Sequence, residues 1–226
     1  MARQPLIILG TGGSAYDVLD IVEAINAERP AWEVAGFLDD ARPAGGEHLG
    51  YPVLGNLSEA ARFAGHWFVN VIGSDTSYSR RPQIVATTGL GPERFATLVH
   101  PGASVSSRAR LGRGAYVNYG ASVGGSVSVG DHVALGPGAI VGHDSTLDDF
   151  ALVAPGAVIS GFCRIGRACY VGTGARIRQR VVVGEGALVG MGAVVLRDVA
   201  PGHTVVGNPA RVLERAVGAP AIKSAR

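Results

Sequence analysis

Residues 129–164, cut every six positions, read VGDHVA-LGPGAI-VGHDST-LDDFAL-VAPGAV-ISGFCR, and this register decides the fold. Every block opens on Val, Leu or Ile, and its fifth residue is Ala, Val, Ser or Cys. Read outward in both directions, the aliphatic first position recurs without a slip from Val99 to Val195, which is 17 hexads. Such a period marks a parallel β-helix, a chain wound into triangular coils of three hexads, each hexad supplying one short strand and one turn. Adjacent strands lie about 4.8 Å apart, so each coil rises by that amount. Residues 18 apart are then vertical neighbours. The aliphatic residue points inward, and the small fifth residue packs beside it. Cys163 and Cys169 both fall on the fifth position, which predicts buried, packing thiols.

Glycine supplies 34 of the 226 residues, about twice the usual share. That excess argues against a helix bundle, and 47% hydrophobic residues exclude a disordered chain. Of the 19 glycines in 99–200, nine take the second hexad position and eight the fourth. Tight turns and positive φ angles are the expected reason. The remaining two are Gly125 and Gly161, which stack directly below and above His143. An outward imidazole with no side chain on either side has room for a substrate, and an imidazole nitrogen can accept a proton from an attacking group. Asp144 can support it if the chain turns there, with Asp148 and Asp149 as competitors. The Gly161 N–H is placed to stabilise a developing oxyanion. No Ser or Cys is positioned as a nucleophile, so direct transfer is expected.

The first 98 residues have a different pattern. Leu6–Leu9 reads as a buried strand, Gly10-Thr11-Gly12-Gly13-Ser14 as a glycine turn, and Val18, Leu19, Ile21, Val22 and Ile25 as one face of a helix. Such a turn offers backbone N–H groups and a helix N-terminus to a phosphate. A second strand, Glu33–Leu38, ends in Asp39-Asp40, which suit a ribose or base edge. A third, Phe68–Gly73, leads to a helix opened by Arg80 and Arg81. The segment is long enough for half of a dinucleotide-binding fold. Residues 1–98 carry net charge −4 and residues 99–226 carry +6. The total of +2 is too small to indicate a nucleic-acid partner. No apolar run approaches 18 residues, so no membrane span is expected. Two cysteines and the lack of a signal-peptide layout point to the cytoplasm.

His143-Asp144 with the following acidic turn and Pro155-Gly156, and Gly207-Asn208-Pro209-Ala210-Arg211 near the end, resemble the hexapeptide-repeat sugar acyltransferases. The likeness is to the subfamily of sialic acid O-acetyltransferases and bacillosamine-pathway N-acetyltransferases. It implies an α/β half-Rossmann domain (1–98) that holds a nucleotide sugar through Gly10, Gly12, Gly13, Ser14, Asp39 and Asp40. A left-handed parallel β-helix (99–200) and a tail (201–226) would follow. It further implies acetyl-CoA as co-substrate, no metal, and a homotrimer with sites at subunit interfaces. His143 would be the general base, Asp144 its support and Gly161 the thioester contact. Arg178, Arg180, Pro209 and Arg211 would lie along the coenzyme A. The implied reaction is transfer to the amine of a nucleotide-linked amino-deoxy sugar. Alternatives are transfer to a sugar hydroxyl, a non-catalytic sugar-nucleotide-binding protein, and a zinc hydratase needing three converging histidines. Three positions depart from the pattern: the family often has His, Asn and His where this chain has Ser14, Gly136 and Leu152.

Overall fold

A computed structural model describes residues 2–214. It opens with β1 (Gln4–Leu9), α1 (Ser14–Glu28) and β2 (Trp32–Leu38). Short strands β3 (Glu47–His48) and β4 (Tyr51–Gly55) come next, then β5 (Trp67–Asn70) and α2 (Arg81–Thr87). The five strands form one sheet in the order β3-β4-β2-β1-β5. β1 lies between parallel neighbours β2 and β5, which explains its unbroken run of buried Leu6, Ile7, Ile8 and Leu9. Among the described residues no helix is long and apolar enough to cross a membrane.

From Leu98 the chain winds into a left-handed β-helix of three faces. Face 1 stacks Leu98–Val99, Tyr116–Val117, Ala134–Leu135, Leu152–Val153, Tyr170–Val171 and Leu188–Val189, and ends on Thr204–Val206 with antiparallel Arg211–Val212. Face 2 runs from Ser104–Val105 to Val194–Val195, and face 3 from Arg110–Leu111 to Val182–Val183. Pairing is parallel in steps of 18, as in Val123 with Val141 and Val141 with Ile159. The first hexad positions form the inner core: Val141, Ile159 and Ile177 are at most 1% exposed. Burying each such side chain contributes about 1.5–3 kcal/mol. Both cysteines are free and buried, and burial raises both thiol pKa values, that of Cys169 to about 11.

The glycine columns divide by cause. Fourth-position residues from 114 to 192 all have left-handed φ, but seven of these fourteen are not glycine, Asp144 (56°) and Phe162 (59°) among them. Second-position glycines do not have positive φ. At Gly142 a Cβ would lie 2.5 Å from the Gly161 nitrogen of the next coil. The expectation that both columns serve turn conformations is therefore corrected: the second column is glycine because adjacent coils approach too closely for a Cβ.

The N-terminal sheet and α1 cover face 1. Leu6, Ile8, Val18 and Ile21 share one buried cluster with Leu98, Tyr116 and Ala134. Arg81, expected to open a helix, is fully buried at this junction and donates to the carbonyls of Ile72 (3.0 Å) and His132 (2.6 Å). Beside it a run of rings crosses the junction, from Phe68 to Phe95 to His132 to Phe150.

Candidate active site

His143 occupies the corner between faces 2 and 3, on the turn joining Ile140–Val141 to Thr146–Leu147. The left-handed φ of Asp144 reverses the chain directly after it, so neighbours that a strand would point apart come together. His143 Nδ1 lies 2.8 Å from Asp144 Oδ2. With Nδ1–H donating to the carboxylate, the neutral ring presents a lone pair at Nε2. The imidazole side chain is 62% exposed. Phe162, on the next coil, meets it edge-on at 5.1 Å, and the Arg180 guanidinium covers the far face of Phe162 at 4.7 Å. Nothing in the hexad pattern singles out Phe162 beyond its being an aromatic residue at a fourth position.

Gly161 lies over the ring. A Cβ there would stand 3.0 Å from both Cε1 and Nε2 of His143, tighter than ordinary packing contacts. Its carbonyl accepts from Arg180, while among the described residues its N–H has no protein partner. Where such corner N–H groups are bonded, an aspartate from the coil above does it: Arg113 N–H reaches Asp131 and Asp131 N–H reaches Asp149. The corner at Gly161 lacks that aspartate. An exposed basic nitrogen and an unclaimed N–H therefore stand side by side, a pairing suited to acyl transfer.

The competing acids have other roles. Asp148 and Asp149 lie on the next corner and pair with Arg164 (3.4 Å) and Arg167 (3.3 Å). Ser145 is spent on structure: its hydroxyl donates to the Ser160 carbonyl and accepts from the Cys163 N–H. His132 is buried, and burial together with Arg81 lowers its pKa to about 4. Of the residues expected along coenzyme A, Arg178 and Arg180 share the corner of His143. Pro209 lies at the C-terminal end of face 2, in a crossing where Val194 N–H bonds Gly207 and Ala210 N–H bonds Val194. Arg211 follows on the last strand of face 1.

The glycine turn lies at the C-terminal ends of β1 and β2. Gly10 has φ +105°, and a Cβ there would strike Ile72. Gly12 and Gly13 face open space. Asp39 braces the turn: one oxygen accepts from Thr11 N–H (2.6 Å) and Oγ1 (2.7 Å), the other from Ala41 N–H. Asp40 accepts from Leu57 N–H through one oxygen. The two acids, expected as ligand contacts, each also hold a loop, and Asp40 retains a second oxygen. Ser14 lies beside Tyr116 of face 1 in the lining of one cavity, and burial raises the Tyr116 pKa. Between the turn and face 1 is a cavity of about 120 Å³ lined by Ser14, Asp17, Gly136, Leu152 and Tyr170. All three departures from the family pattern thus meet in one place.

The turn and His143 do not meet within one chain. The turn sits against face 1, and the corner between faces 2 and 3 is the edge of the prism opposite that face.

Comparison with known proteins agrees with this architecture. The PglD N-terminal domain family matches residues 5–83. No curated protein matches the chain. The acetyltransferase domain of PglB from Neisseria gonorrhoeae FA1090, in complex with acetyl coenzyme A, is 34% identical with a TM-score of 0.80, over 94% of this chain and 100% of that one. A histidine-to-asparagine mutant of perosamine N-acetyltransferase from Caulobacter crescentus, in complex with CoA and GDP-perosamine, is 26% identical with a TM-score of 0.80, over 95% and 99% of the two chains. WeeI from Acinetobacter baumannii AYE is 26% identical with a TM-score of 0.76, over 92% and 99%.

Proposed function

The chain belongs to the hexapeptide-repeat sugar N-acetyltransferases, and we propose that it transfers the acetyl group of acetyl-CoA to the amine of a nucleotide-linked amino-deoxy sugar. The observation that carries this reading is the His143–Asp144 pair beside the unclaimed Gly161 N–H. The amine attacks the thioester carbon while His143 Nε2 takes its proton, and Asp144 steadies the imidazolium that forms. Gly161 N–H donates to the oxyanion. The C–S bond then breaks, and the leaving thiolate takes the proton from the imidazolium. Relatives held with acetyl coenzyme A, or with CoA and GDP-perosamine, support both substrates.

The acceptor's nucleotide is held at the glycine turn, by the open backbone at Gly12 and Gly13 and the free oxygen of Asp40. The cavity at Ser14, Gly136 and Leu152 receives the start of the sugar. Because turn and base are on opposite sides of one chain, a working site takes the turn from one subunit and His143 from another. A homotrimer satisfies this. On face 2 the outward position of Ile140, 43% exposed, stacks with Ser122 and Val158, an uncharged strip suited to a second copy. Coenzyme A runs between subunits past Arg178, Arg180, Pro209 and Arg211.

The test is thiol release from acetyl-CoA against UDP-, GDP- and dTDP-linked amino sugars. One of them should give saturable release, and His143→Ala should lower kcat by about 10³-fold without changing the assembly. Near-normal turnover in that variant refutes the role of His143, and silence with every amine refutes the acceptor. Mixed trimers of His143→Ala and Gly12→Glu subunits should regain activity that neither variant has alone.

A further inference from the structure

The two glycines flanking His143 are not equivalent. Gly161 is crowded by the imidazole itself, which a Cβ there would meet at 3.0 Å. Gly125 is required by nothing in the chain. Its φ is outside the left-handed region, and a Cβ there would meet only Ser106 Oγ, at 3.7 Å, an ordinary contact. Its third-position neighbours in the column are Ser107 below and His143 above, so the fold accepts side chains on both sides of it.

We propose that the missing side chain at Gly125 forms a notch, on the N-terminal side of His143, that seats the pyranose ring of the acceptor. This rests on the acyl-transfer reading above and adds the direction from which the acceptor approaches. The two sides of His143 differ in chemistry. Toward the C-terminus the corner carries Arg178, Arg180 and Arg197, a path for a polyanion that ends with its thioester oxygen at Gly161. Toward the N-terminus it carries Ser106, Ser107 and Ser126 around Gly125, neutral hydroxyls that suit a sugar. Arg108 stands two coils below Asp144, about 10 Å away, within side-chain reach of a diphosphate on the anomeric carbon. The amine then enters from below as the thiol leaves above, with Nε2 between them.

The experiment compares native enzyme with Gly125→Ala and Gly125→Val in steady-state thiol release, varying each substrate at saturation of the other. Melting temperature and trimer mass are measured in parallel. Ala should raise KM for the nucleotide sugar about 10-fold, and Val should lower kcat/KM for it about 100-fold. KM for acetyl-CoA, melting temperature and mass should stay at native values. Unchanged acceptor kinetics in both variants overturn the notch, as does a loss confined to acetyl-CoA, which would assign the space to the acyl chain. If Val disturbs folding, Ala decides alone, since its single methyl makes only the 3.7 Å contact. A silent native enzyme overturns both this inference and the reading beneath it, whereas an active native enzyme with indifferent variants overturns the notch alone.

Discussion

Replacing Gly161 with Ala isolates the contact between backbone and base. The new methyl would lie 3.0 Å from Cε1 and Nε2 of His143 and 3.2 Å from its carbonyl oxygen. Ordinary contacts of a Cβ begin at about 3.4 Å, so the ring must retreat by a few tenths of an ångström. It can do so cheaply, because it is the exposed end of a rotatable side chain. The melting temperature should therefore hold. Activity should not, because a base displaced by about 1 Å costs roughly 10²-fold in rate, and a few tenths of that displacement about 10-fold. The same displacement strains the 2.8 Å bond to Asp144. The assay is thiol release at saturating substrates beside a thermal melt. The expected outcome is kcat down by about 10-fold with native melting behaviour. A Gly161→Ala enzyme within twofold of native kcat, while His143→Ala is dead, would refute the claim that Gly161 positions the base. Gly142→Ala is the contrast: its Cβ meets backbone at 2.5 Å, so it should lower the melting temperature.

Two further outcomes follow from named contacts. Asp144→Asn keeps the shape at Nδ1 but removes the charge that steadies the imidazolium. It should cut kcat by about 10–10²-fold with KM for acetyl-CoA unchanged, measured in the same assay. His132 gives a pH dependence of stability. Its folded pKa of about 4 lies below the ordinary value of about 6.5, so the unfolded chain binds its proton first. The stability it contributes is complete above pH ~6.5 and falls by about 1.4 kcal/mol per pH unit down to about 4. His132→Asn, which tolerates the left-handed φ, should flatten the fall in melting temperature between pH 7 and 5; an unchanged slope would assign the acid sensitivity elsewhere.

Much of this was legible in the chain. An aliphatic residue every sixth position can be buried in only one way over 17 turns, so the coil length, the inward stacks and the column of His143 were all fixed before any coordinate. The glycine turn after β1 was legible for a similar reason, since strand, turn and helix each have a local signature. The reach of local pattern ended where distant segments meet. No local pattern shows that Asp39 braces Thr11, and Arg81, which opens α2 as its pattern predicts, gives no local sign that its guanidinium lies buried against His132. Second-position glycines were read as turn residues, when the spacing between coils is what excludes a Cβ.

By itself, then, the sequence determined periodicity and register and singled out His143 as the candidate base, because these depend on repeats and on residue chemistry within one coil. Only the tertiary structure decided what surrounds them. It separated Gly161, crowded by the imidazole, from Gly125, crowded by nothing in the chain. It also placed the glycine turn on face 1, across the prism from His143. The docking of one half on the other is set by side-chain packing between residues about 50 to 100 positions apart, such as Arg81 with His132 and Ser14 with Tyr116, and no period in the chain encodes that contact.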